Sequence, residues 1–230
     1  MKNNHRLVFL FSALVFSSAA SAVSLDYRHE YKHHTDQHGN RVKISDSLGR
    51  LSYSLEAKFA ATTEEDGSRS AFSNIARGDS EVDFEYKHPL QGNWYFQVGM
   101  PITFGDNKYS LKPQARIGYK ASGIPMTTTL RYRRQFTQYA EGEGDDYVQN
   151  NITFYMSYGP SDYKYWMELN YYYNEEFDIY NDGRASYEAA FGMGRRFGSW
   201  LPYLELGDAG VSSSSDTRQL RTRVGIKYYY

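Results

Sequence analysis

Apolar and polar side chains alternate along most of this chain with a period of two. Between residues 51 and 59 the odd positions are Leu51, Tyr53, Leu55, Ala57 and Phe59, and the even ones are Ser52, Ser54, Glu56 and Lys58. A strand places i and i+2 on one face, so this segment predicts a strand with one apolar face. Wound as a helix it would scatter its charges over every side. The same alternation sets Val23, Leu25, Tyr27 and Tyr31 against Ser24, Asp26, Arg28 and Glu30, and Val82, Phe84 and Tyr86 against Glu81, Asp83, Glu85 and Lys87. Trp94, Phe96, Val98 and Met100 lead a further strand. Leu111, Ala115, Ile117 and Tyr119 then oppose Lys112, Gln114, Arg116 and Lys120, and Leu130 and Tyr132 oppose Thr129, Arg131 and Arg133.

In the second half, Ile152, Phe154, Met156 and Tyr158 share one face, as do Tyr165, Met167, Leu169 and Tyr171. Strands over 184–194, 200–207 and 217–230 follow. With a short strand over 40–46 the pattern predicts about twelve strands, an even number as in single-chain outer-membrane barrels. Short turns are expected at 47–50, 89–93, 121–125, 159–162 and 198–199. Longer polar loops are expected at 32–39, 62–79, 138–146, 174–183 and 208–216. Alternation of short turns with long loops is the habit of a transmembrane barrel.

Composition decides between a barrel with a wet lumen and one with an apolar core. Charged residues are 23% and aromatic ones 17%, with 23 Tyr and 13 Phe. Mean hydropathy is −0.69. Downstream of residue 22 no apolar run approaches the ~18 residues of a spanning helix. A closed soluble core, as in a β-sandwich or a lipocalin-like barrel, could not be lined by Glu, Lys and Arg without large desolvation costs; a water-filled lumen can. The fold class expected is therefore all-β, a transmembrane antiparallel β-barrel of about twelve strands. Cys is absent, so no disulfide is available to hold it.

The first segment reads as a secretory signal. Lys2, His5 and Arg6 precede an apolar run from Leu7 to Phe16, and Ala20-Ser21-Ala22 offers a small-residue cleavage site. The expected organisation is a signal peptide over 1–22 and one barrel domain over 23–230. Cleavage would remove Lys2 and Arg6, two cations fewer than in the full chain at −1, leaving −3. Nothing in that balance suggests a nucleic-acid partner.

Several segments resemble the KdgM family of monomeric oligogalacturonate-specific porins. They are Ser24-Leu25-Asp26-Tyr27-Arg28-His29-Glu30-Tyr31, Leu55-Glu56-Ala57-Lys58-Phe59, Leu130-Arg131-Tyr132-Arg133, Trp200-Leu201-Pro202-Tyr203-Leu204-Glu205-Leu206 and Arg223-Val224-Gly225-Ile226-Lys227-Tyr228. Their order and spacing run from the first mature strand to the last. The terminal strand also resembles the assembly signal of outer-membrane proteins, with Tyr230 where Phe is usual. The resemblance implies a twelve-stranded monomer in the outer membrane of a Gram-negative bacterium, contacting lipid and lipopolysaccharide and inserted by the barrel assembly machinery. It implies a narrow lumen whose basic side chains pass acidic oligosaccharides; oligogalacturonides are the expected substrate, with other uronates and sialate left open.

The candidate substrate-binding residues fall into two groups. Lys112, Arg116, Arg131 and Arg133 lie on the sixth and seventh expected strands; Arg221, Arg223 and Lys227 lie on the twelfth, beside Arg28 on the first. Half a circumference separates the groups in a twelve-stranded barrel, so they should face each other. Arginine suits the task because its planar guanidinium donates two parallel hydrogen bonds to a carboxylate. The alternative is a wall of compensating pairs, since Asp26, Glu30, Glu168, Glu188 and Glu205 share the inward parity. No cofactor, metal or catalytic residue is expected. His33, His34, Asp36 and His38 read as a solvated loop, the acidic stretch 142–146 lacks calcium-loop spacing, and Gly192, Gly194 and Gly198 lack phosphate-loop spacing. The competing functional classes are a barrel hydrolase acting on lipid, which would need a nucleophile beside a base, and a non-conducting structural barrel.

Overall fold

The computed structural model describes residues 23–61, 71–72 and 75–230. The expected signal peptide lies outside the described residues, as does most of the segment between 62 and 74. Fourteen strands form one antiparallel sheet: β1 (Ser24–Lys32), β2 (Gln37–Leu48), β3 (Leu51–Ala61), β4 (Ile75–Pro89), β5 (Trp94–Gly99), β6 (Ile102–Phe104), β7 (Lys108–Leu111), β8 (Gln114–Lys120), β9 (Met126–Tyr139), β10 (Tyr147–Tyr158), β11 (Tyr163–Asn174), β12 (Ala185–Arg195), β13 (Trp200–Gly210) and β14 (Arg218–Tyr229). The sheet closes on itself: β1 pairs with β14 from Ser24↔Tyr229 to Lys32↔Arg221. β5 with β6, and β7 with β8, are two halves of single staves, so the barrel has twelve staves.

Proline accounts for both interruptions. Pro101 and Pro113 carry no N–H for the ladder and so break a central strand. The ladder is spliced around them, with Met100 N–H donating to Phe84 O at 3.0 Å, Lys112 N–H to Pro101 O at 2.9 Å and Arg134 N–H to Pro113 O at 3.1 Å. The alternation assigns no element to 101–110, a stretch that holds β6, most of β7 and the tight turn joining them. A second correction concerns 32–39, expected as a long loop. The chain turns within four residues after β1, with Asp36 at φ 49°, and β2 begins at Gln37. His29, His38 and Asn40 point outward there and contact one another, His38 Nδ1 lying 3.2 Å from His29 Nε2. Above the apolar band an outward side chain has no need to be apolar, so the alternation fades while the strand continues.

Burial is inverted relative to a soluble domain. Among the described residues the buried apolar side chains are Tyr95, Ala190, Leu201 and Ala209, whereas Glu56, Gln97, Asn151, Thr153, Asn170 and Arg221 are buried polar ones. Leu55, Phe84, Leu130, Phe191 and Val224 are half exposed on the outer wall. That surface is the lipid face, and water-accessible area there is what a membrane covers. Trp94 packs on Tyr119, and Trp200 on Tyr228, at the short-turn end, where rings with one apolar and one wet edge suit the interface. Gly49 at φ 61° and Gly198 at φ 59° make two of the short turns in the left-handed region that costs a side chain most.

Candidate functional site

The inward positions of the staves hold the chemistry, and the register sorts their charges. All eight residues singled out from the sequence lie at inward stations, and the sheet order places β14 and β1 six staves from β8 and β9. Lys112 sits at the break between β7 and β8 rather than within a strand.

Four of the eight are committed to carboxylates. Arg223 lies between two: its Nε is 2.6 Å from Glu30 Oε2 and its Nη1 is 2.6 Å from Glu205 Oε1. Arg221 Nη1 is 2.9 Å from Glu188 Oε2. Lys112 Nζ donates to Glu81 Oε2 at 2.8 Å, and Arg116 Nη2 approaches Glu85 Oε1 at 3.5 Å. The two Arg223 pairs follow from the ladder, since Arg223 stands directly opposite both Glu30 and Glu205. For these residues the compensating-pair alternative is what the geometry holds.

The other four are not neutralised in this way. Arg131 Nη2 donates to Asn151 Oδ1 at 3.2 Å and Thr153 Oγ1 at 2.7 Å, both uncharged. Arg133 donates through Nε and Nη2 to Gln114 Oε1 at 2.9 and 2.7 Å. Gln114 in turn donates to Glu85 Oε1 at 2.6 Å, so an amide separates that guanidinium from the nearest carboxylate in the chain of bonds. Among the described residues no carboxylate lies within 4.0 Å of Arg28 or Lys227. The Nε of Arg28 and that of Arg131 are buried without a hydrogen-bond partner.

The candidate substrate-binding set omits three inward cations on the wall between β1 and β4: the alternation places Lys58 on the polar face of its strand, and Arg41 and Lys43 are not singled out. Arg41 reaches Asp26 at 3.1 Å and Glu56 at 3.4 Å, while Lys43 and Lys58 approach Glu56 at 3.7 and 3.4 Å. Alternation of Arg41 and Lys43 with Val42 and Ile44 was the available signal. Lys164 on β11 was also missed; it makes no ion pair among the described residues. A cavity of about 440 Å³ opens in the lumen beside Arg28, Glu30, Arg41, Lys58 and Arg223. Among the described residues there is no group of three or more His, Cys, Asp or Glu able to hold a metal.

A narrow closed barrel with basic and acidic ladders on its inner wall is the architecture of a small porin. The family model described as oligogalacturonate-specific porin protein (KdgM) matches residues 16–230. The chain belongs to the KdgM family. Its relatives include the uncharacterized protein YiiY of Salmonella typhimurium, 27% identical over 97% of this chain and 96% of that protein. They also include the oligogalacturonate-specific porin KdgM of Dickeya dadantii, 26% identical over 98% and 99% respectively. Among solved structures, a KdgM porin in complex with disordered oligogalacturonate superposes with a TM-score of 0.65 at 23% identity, covering 90% of this chain and 99% of that one. As a KdgM-family barrel the protein is an outer-membrane porin of a Gram-negative bacterium, and family and fold alike point to a channel.

Proposed function

We propose that this porin passes oligogalacturonides by passive diffusion, and that Arg28, Arg131, Arg133 and Lys227 supply the attraction. The observation that carries this reading is that these four inward cations have no carboxylate of their own within 4.0 Å among the described residues. A carboxylate entering the lumen therefore meets guanidinium and ammonium groups without first breaking an ion pair. Arg221, Arg223, Lys112 and Arg116 act alongside them, their charge shared with Glu188, Glu30, Glu205, Glu81 and Glu85. The family description and the oligogalacturonate-specific relative in Dickeya dadantii support the same substrate class. Binding and release need no covalent step and no cofactor, only a site strong enough to admit the sugar and weak enough to let it leave.

In this reading the chain works as a monomer after removal of residues 1–22, is inserted by the barrel assembly machinery and is surrounded by outer-membrane lipid and lipopolysaccharide. Purified protein in a planar bilayer gives the test: trigalacturonate should interrupt the current at concentrations where sialyl and neutral oligosaccharides of equal length do not. Equal interruption by the neutral sugar would refute the proposal, and preferential interruption by the sialyl oligosaccharide would reassign the substrate.

A further inference from the structure

The wall formed by β11 to β14 and β1 carries two neighbouring aromatic rings, each laid over a glycine. Trp166 lies so close over Gly192 that a Cβ there would stand 2.0 Å from its Cε2, and Tyr203 lies over Gly225 with its Cζ 2.3 Å from the position a Cβ would take. Each glycine is the ladder partner of the ring above it. One side of each ring is thus set against the backbone of the neighbouring stave, and the inward register turns the other toward the lumen. Their edges are fixed as well. Trp166 Nε1 donates to Glu205 Oε2 at 2.8 Å and Tyr203 Oη to Asp26 Oδ1 at 2.9 Å. The two rings meet edge to face, 5.6 Å between centroids.

We propose that Trp166 and Tyr203 form a stacking platform for the ring of a uronate sugar, with Arg28 and Lys164 as the cations that receive its carboxylate. In the water-filled lumen these ring faces gain nothing from an apolar core, because none is there. They suit a solute with one flat C–H face and a polar rim, which describes a pyranose; the partial negative charge of an aromatic face attracts polarised C–H groups. A single register row runs Lys164, Gly194, Tyr203, Gly225, Arg28. With staves ~4.8 Å apart, each cation starts about 10 Å from Tyr203, on opposite sides, within reach of a long side chain. Neither makes an ion pair or side-chain hydrogen bond among the described residues, whereas the neighbouring Arg41 and Arg223 are both paired. A platform already pinned at its edges loses little freedom when a ligand arrives. Selectivity would then need both features, since a neutral hexose stacks without the charge and a small anion has the charge without the stack.

The inference rests on the uronate reading above, and its test separates the two. The chain has three Trp, and Trp94 and Trp200 stand half exposed on the outer wall. Changing both to Phe leaves Trp166 as the sole indole. Its fluorescence should shift saturably with trigalacturonate over the range that blocks the current, and acrylamide quenching should fall. Trp166→Ala and Tyr203→Ala should each weaken the block about tenfold, the effect of roughly 1.4 kcal/mol. Trp166→Phe and Tyr203→Phe, which keep a ring face and lose the polar edge, should stay within about twofold. Arg28→Gln should weaken block by the uronate more than block by a neutral hexose oligomer. If trigalacturonate blocks while the fluorescence is unmoved, or the Ala and Phe variants behave alike, the platform is wrong and the channel reading stands. If the parent shows no uronate block, both fall.

Discussion

Replacing Arg131 and Arg133 together by Gln should strip anion preference from the channel while leaving the barrel intact. Both project inward from β9 and both end on neutral partners, Asn151 and Thr153 for the first and Gln114 for the second. Glutamine keeps a donor for these acceptors and removes two positive charges. In water, an ion passing about 6 Å from a guanidinium feels about 0.7 kcal/mol before screening, and about half of that at physiological salt. Anions and cations shift in opposite senses, so each arginine changes their permeability ratio about threefold and the pair about tenfold. The contrasting pair is Arg221 with Arg223, which also carries two charges. Their removal leaves Glu30, Glu188 and Glu205 without their guanidinium partners, and breaking a largely buried pair costs about 3 kcal/mol. Reversal potentials in a salt gradient measure the first effect, and urea unfolding from lipid vesicles followed by Trp fluorescence measures the second. The Arg131/Arg133 variant should change the reversal potential at unchanged urea midpoint, and the Arg221/Arg223 variant should lower both. A parent channel that prefers cations, or two double variants indistinguishable in urea, would refute the division into free and committed arginines.

Three further outcomes are expected. With single cysteines in the otherwise Cys-free chain, positions Lys58 and Arg131 should react with a water-soluble thiol reagent in the folded, lipid-embedded protein, and positions Phe84, Phe154 and Tyr171 should not; uniform reaction would overturn the register. Gly118→Val should destabilise the barrel by about 1–3 kcal/mol, the cost of overpacking, because a Cβ there would lie 2.2 Å from Tyr95 Cζ; the urea midpoint reports it, and an unchanged midpoint would show that Tyr95 moves freely. Asn174→Ala should raise amide hydrogen exchange at Glu176 and Phe177, whose N–H groups donate to Asn174 Oδ1 at 2.9 and 3.0 Å, while leaving exchange along β11 unaltered.

The strands and their faces were legible because a barrel wall has lipid on one side and water on the other, so parity is enforced residue by residue. Lys58 and Phe59, neighbours in sequence, fall on opposite faces as the alternation requires. The signal failed where that enforcement stops. His38 and Asn40 lie beyond the apolar band, so β2 reads as shorter than it is. The halves β6 and β7 were hidden by Pro101 and Pro113, which interrupt a pattern without ending the wall. The inward direction of Arg223 was legible from its own strand, but its pairing with Glu30 and Glu205 was not. That depends on the register between strands far apart in sequence, and a slip of two residues would conserve every face while changing every partner.

The meeting of β1 with β14, where Tyr230 N–H donates to Val23 O at 3.0 Å, makes the folded chain a ring with no topological beginning. The seam carries the same ladder as any other pair of neighbours. A circular permutant that joins Val23 to Tyr230 through a few linker residues and opens the chain in the turn between β9 and β10 would retain every stave and every inward charge. What it would alter is the sequence distance each contact spans: the seam would become a local hairpin, and β9–β10 would become the longest-range pairing. Contact order governs the rate at which non-local pairings form, so the two chains should share one pore while differing in which pairing is the last to close.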